Sequence, residues 1–129
     1  MLLFASLVLA SCATSAERFQ SKLGEMAGRN ARSCGLAALN QPPEESASCA
    51  RSALSTHTPF MVGFQLQGID SQIWEGLTMS KSGDARFVRF DSDPSGGAWF
   101  SHPRVMVEHC TSPVISPSAY AAISCVSGR

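Results

Sequence analysis

The chain has 129 residues, 44% of them hydrophobic and only 16% charged, and its ten basic residues balance ten acidic ones. That hydrophobic fraction supports a packed core rather than a disordered tail. A net charge of zero argues against nucleic acid as a partner, because phosphate binding needs a basic footprint.

Leu2, Leu3, Phe4, Ala5, Leu7, Val8, Leu9 and Ala10 form an apolar run interrupted only by Ser6. The run is well short of the roughly 20 residues that span a bilayer as a helix, but it has the length of a signal-peptide core. It closes on Leu9-Ala10-Ser11-Cys12. This tetrapeptide resembles the lipobox of bacterial lipoprotein precursors. The resemblance implies that residues 1–11 are removed as a signal peptide and that Cys12 is acylated, palmitate being one such chain. It also implies a protein held on a membrane of the cell envelope, since two or more acyl chains anchor stably where one does not. Ala13, in place of an aspartate after the cysteine, further implies the outer membrane, facing the periplasm. Two other readings stand beside it. Cleavage after Thr14-Ser15-Ala16 would release a soluble secreted protein beginning at Glu17, and a cytosolic chain could simply open on an apolar turn. Residues 12–18 are expected to form the lipidated cysteine and a tether, with one α+β domain over 19–129.

Within that domain, Phe19, Leu23 and Met26 have helical spacing, although Gly24 and Gly28 weaken the helix. Ala37, Ala38 and Leu39 follow Cys34 before Asn40-Gln41-Pro42-Pro43 breaks the chain. Pro43-Glu44-Glu45 reads as a second helix start, with Ala47, Ala50, Ala53 and Leu54 on its apolar face. After Thr58-Pro59 the period changes to two. Phe60, Val62, Phe64 and Leu66 mark one strand, and Ile73, Glu75, Leu77 and Met79 mark the next. Arg86–Phe90 and Arg104–Cys110 are expected as strands three and four, around a long loop over 91–103. Ser116-Pro117 reads as the cap and first turn of a short helix to Cys125. The pattern predicts N-terminal helices packed on a four-stranded antiparallel β-meander, a short C-terminal helix and two disulfides.

Both export readings set Cys12 aside and leave Cys34, Cys49, Cys110 and Cys125. In an oxidising compartment an even set reads as disulfides, here with three possible connectivities. The intervals 34–49 and 110–125 are equal, which favours Cys34–Cys49 and Cys110–Cys125 over an end-to-end bridge such as Cys34–Cys125. Neither interval is a Cys-x-x-Cys redox or zinc motif.

Candidate binding residues are Trp74, on the strand face opposite Ile73 and Leu77; Asp91 and Asp93, in Asp91-Ser92-Asp93-Pro94-Ser95-Gly96-Gly97; and the loop aromatics Trp99 and Phe100. Alternate oxygens at 91, 93 and 95 before Gly96 resemble the front half of a calcium loop, but His102 stands where that pattern needs Glu. His57, His102 and His109 share no short ligand spacing, and no Gly-x-Ser-x-Gly elbow is present. No metal, cofactor or catalytic residue is therefore expected. The functional expectation is a non-enzymatic binding or structural module of the envelope, attached to a membrane through Cys12 and engaging an envelope protein. The alternative is a soluble secreted or periplasmic calcium-dependent binder, or a small hydrolase, using Asp70, Asp91, Asp93 and His102.

Overall fold

The computed structural model describes residues 12–94, 96 and 102–126. The signal-peptide reading of residues 1–11 lies outside them, as do the candidates Trp99 and Phe100.

Helix α1 (Ser15–Ala27) opens with a capping box at Thr14. The Thr14 hydroxyl accepts the Glu17 amide at 3.2 Å, and the Glu17 carboxylate accepts the Thr14 amide at 2.7 Å. Two otherwise orphaned amides are thereby satisfied. The helix thus starts inside the stretch expected to be a tether. Strand β1 (Arg32–Ala37) was not anticipated from the sequence. It runs parallel to β2 (Phe60–Leu66), with α2 (Glu44–Ser55) as the crossover between them. β3 (Ile73–Met79), β4 (Ala85–Asp91) and β5 (Arg104–His109) then follow antiparallel. The sheet order is β1-β2-β3-β4-β5. The expected four-stranded meander is therefore a five-stranded mixed sheet, extended by a parallel edge strand that its internal Gly35, at φ 83°, hid from a search for alternation.

The expected C-terminal helix is absent as well. Its place is taken by a two-stranded sheet of β6 (Thr111–Ile115) and β7 (Ile123–Val126). The Ser118 hydroxyl accepts the Ala121 amide at 3.1 Å and donates to the Ala121 carbonyl at 2.8 Å. Pro117 and Ser118 thus build a turn instead of a helix start. The disulfides join Cys34 to Cys49 and Cys110 to Cys125, the pairing favoured by the equal intervals. The first ties α2 to β1, and the second closes the base of the β6–β7 hairpin.

Both faces of the sheet are covered. Phe60, Val62, Phe64, Leu66, Leu77 and Met79 pack under the alanines of α2 and under Ile115 and Ile123 of the hairpin. The opposite face packs Trp74, Val88 and Phe90 against Phe19 and Leu23 of α1. Val88 and Phe90 therefore belong to a different layer from Phe60 and Leu77. α1 lies close to the sheet because paired Gly63 and Gly76 form its floor. A Cβ on Gly76 would come within 2.6 Å of Leu23 and 2.7 Å of Phe19.

Glu75 fastens the hairpin to the sheet. It is a buried carboxylate whose Oε2 accepts the amides of Ala122 at 2.9 Å and Ile123 at 3.3 Å. Its other oxygen receives Arg89 Nη1 at 3.2 Å. The arrangement satisfies the charge that burial would otherwise leave exposed to a low dielectric.

Candidate functional site

A groove of about 800 Å³ lies between the C-terminal end of α2, the β3–β4 turn and β6. Leu54, Met79, Ala85, Val114 and Ile115 supply its apolar lining, and Arg51, His57, Asp84 and His109 supply its polar groups. A mostly apolar cleft with a few convergent polar groups is the usual form of a binding site.

The polar groups are held by the fold in distinct ways. Arg51 is committed to structure: its Nη1 donates to Glu44 at 2.8 Å, and its Nε and Nη2 donate to the Ile115 carbonyl at 3.1 and 2.8 Å. Those bonds hold β6 beside α2 and set one wall. Asp84, in the β3–β4 turn, receives Arg86 Nε at 2.8 Å on one oxygen and lies 3.1 Å from His109 Nδ1 on the other. The Arg86 hydrogen bond holds the Asp84 carboxyl below its ordinary range; partial desolvation opposes this, and the His109 hydrogen bond and the charges of both neighbours reinforce it. An ionised carboxylate only accepts, so it places a proton on His109 Nδ1 and leaves Nε2 as the ring's other nitrogen. Nε2 has no hydrogen-bond partner among the described residues. The result is an oriented Asp–His pair on a groove wall, capable of accepting one hydrogen bond. No serine or threonine hydroxyl hydrogen-bonds His109 among the described residues.

Two further groove residues, His57 and Ser112, adopt left-handed backbone with φ of 52° and 50°. Non-glycine residues rarely do so, and such positions gather at sites that ligands use.

Among the described residues, those singled out in the sequence do not assemble here. Trp74 was expected to face solvent or a partner; it is 4% exposed, with its ring 5.7 Å from that of Phe19. That expectation fails because α1 covers the second face of the sheet. Asp91 ends β4, where its Oδ1 accepts the Asp93 amide at 3.0 Å, and the Ser92 hydroxyl accepts the Gln72 amide at 2.8 Å. These are the local bonds of an aspartate-led turn. A smaller pocket of about 320 Å³ adjoins it, lined by Arg89, Asp91, Pro94, Arg104 and Met106. Asp70 is exposed in the β2–β3 turn with φ 58°, and His102 is exposed before β5. Among the described residues no group of three His, Cys, Asp or Glu side chains converges as metal ligands would.

Sequence reading missed Asp84 and His109, because one was absorbed in a turn and the other in a strand end. The clue was their position at matching ends of β4 and β5, which the 86–109 register brings side by side. The groove also lies at a definite place in the molecule. α1 runs from the Trp74–Phe90 end of the sheet towards Met61, so its N-terminus and the groove occupy opposite ends. Compared with protein-family models, curated proteins and solved structures, the chain has no significant match.

Proposed function

We propose that the chain is a lipid-anchored protein of the cell envelope whose folded part is a non-enzymatic binding or structural module. One observation carries this reading. Four of the five cysteines pair within the fold, while Cys12 stays unpaired and exposed two residues ahead of the α1 cap. Paired thiols suit an oxidising compartment, and the remaining cysteine is the one that closes the Leu9–Cys12 motif. The capping box adds support. Cleavage after Ala16 would remove Thr14 and Ser15, costing α1 its N-cap, worth about 1 kcal/mol; processing before Cys12 keeps it. Among the described residues no helix is long and apolar enough to cross a membrane. The outer membrane, facing the periplasm, is the proposed location, and the groove beside Asp84 and His109 is the proposed contact surface for an envelope partner.

The test is expression of the full chain in a Gram-negative host fed an alkynyl fatty acid. The mature protein is expected to begin at Cys12, carry the label and show no titratable thiol, and Cys12→Ala is expected to lose the label. An intact Met1 with all five thiols titratable and no label refutes the reading. A start at Glu17 without label would favour the alternative, a soluble secreted or periplasmic calcium-dependent binder or small hydrolase using the 91–97 loop. That alternative ranks second because Asp91 already spends an oxygen on its own turn, and Asp70 sits in another hairpin.

A further inference from the structure

We propose that β5 is a self-association edge, through which two copies of this chain pair antiparallel with Met106 on the two-fold axis. The proposal is independent of the lipid reading. β5 ends the sheet, is exposed along its whole length and is regular in register. At the other edge, β1 carries a register shift between Ser33 and Leu36 that spoils it as a template. Val105, Met106 and Val107 are 43%, 37% and 36% exposed, an apolar centre on a strand that no other strand pairs with on its outer side among the described residues.

Three features of β5 agree on one register. The Cys110 amide donates to the Ala85 carbonyl at 2.9 Å. With Arg86 opposite His109, the alternation of an antiparallel ladder then turns the backbone of Arg104, Met106 and Glu108 towards β4. It turns that of Val105, Val107 and His109 outward. A second β5 can bond only by matching outward residues to outward residues. Pairing Val105 with Val107 of the other copy does so twice and closes four backbone hydrogen bonds. The same register sets Arg104 of each copy opposite Glu108 of the other, a favourable cross-strand pair. Neither Arg104 nor Glu108 has a side-chain ion pair or hydrogen bond among the described residues. Shifting the register by two residues in either direction preserves the backbone match but loses both charge pairs. Backbone, apolar side chains and charges are therefore palindromic about Met106. A contact of one strand per copy lies at the small end of specific interfaces, so the association is weak and concentration-dependent.

Met106→Cys tests the register directly. Directly opposed residues in a non-hydrogen-bonded pair have Cα atoms about 4.5 Å apart, within disulfide reach. Mild oxidation of the mature full chain is expected to cross-link Met106→Cys into a dimer and leave Arg104→Cys largely monomeric. In sedimentation of the unoxidised protein, Arg104→Glu and Glu108→Arg are each expected to weaken self-association about tenfold, as two pairs change from attraction to repulsion. Mixing the two variants is expected to restore it, because their charges then complement each other across the pair. Equal cross-linking of the two cysteine variants, or single charge variants that associate like the parent, overturns the proposal. So does a parent chain that stays monomeric at every concentration.

Discussion

Replacing Gly76 with alanine puts a methyl group where the α1 layer rests on the sheet. The new carbon meets Leu23 Cδ2 at 2.6 Å, Phe19 Cζ at 2.7 Å and the Val62 carbonyl oxygen at 3.1 Å. Carbon pairs prefer about 3.5–4.0 Å, so α1 must lift by roughly 1 Å or its side chains must leave their rotamers. Phe19 and Leu23 are both 0% exposed, and the Val62 carbonyl belongs to the paired strand. Overpacking of this kind costs about 1–3 kcal/mol, while alanine recovers about 0.5–1 kcal/mol of the backbone entropy that glycine loses. The expected net destabilisation is about 1–2 kcal/mol. For a domain of this size that lowers Tm by some 4–8 °C, taking about 4 °C per kcal/mol. Urea denaturation of the oxidised protein measures it, with the slope checked against wild type. Phe19→Leu in the Gly76→Ala background is expected to cost less than it does alone, because it vacates the space the methyl group needs. A Gly76→Ala protein as stable as wild type, or strictly additive effects of the two changes, would refute the argument that this glycine sets the height of α1.

Other outcomes follow from the same geometry. Glu75→Leu strips Ala122 and Ile123 of their acceptor and is expected to cost about 2–4 kcal/mol, at about 1–3 kcal/mol per buried unsatisfied group. Hydrogen exchange should show β7 losing protection first, and uniform loss across the sheet would contradict the fastening role. Cys34→Ala with Cys49→Ala is expected to remove roughly 3 kcal/mol, as an approximately 15-residue loop implies; a denaturation midpoint unchanged by both substitutions would show that the bridge contributes nothing. Asp84 titrates below its ordinary range, with Arg86 as the main cause. A depressed folded-state pKa contributes stability that is present above the unfolded value and is lost as pH falls through the folded one. Carboxyl NMR titration should place Asp84 below an ordinary aspartate, and Arg86→Ala should move it upward. A midpoint at or above the usual value, unmoved by that substitution, would contradict the assignment.

How much of this could be read from the chain depended on which signals were local. Alternation exposed β2 to β5 because each carries period-two apolar residues bounded by turn chemistry. β1 escaped because Gly35 interrupts it and its pairing partner lies across a whole helix. The second covered face escaped for a subtler reason. Trp74, Gly76 and Thr78 look like an outward row, yet the glycine is what admits α1 and buries its neighbours. The start of α1 at Thr14 was not read, because Thr14-Ser15-Ala16 resembled a cleavage site and the stretch passed for a tether. The C-terminal helix was inferred from a serine–proline pair that equally makes a turn, and the contacts that favour the hairpin include Glu75, some 47 residues away. The groove lay beyond reach, since Asp84 and His109 meet through strand register.

The length of α1 has a mechanical meaning on the proposed reading. Only Ala13 separates Cys12 from Thr14, a leash of two residue steps and at most about 7 Å, after which the chain is rigid. Thirteen helical residues then act as a ruler about 20 Å long. They set the altitude of the groove above the lipid headgroups and leave little slack. Whatever docks there must come down to that height itself.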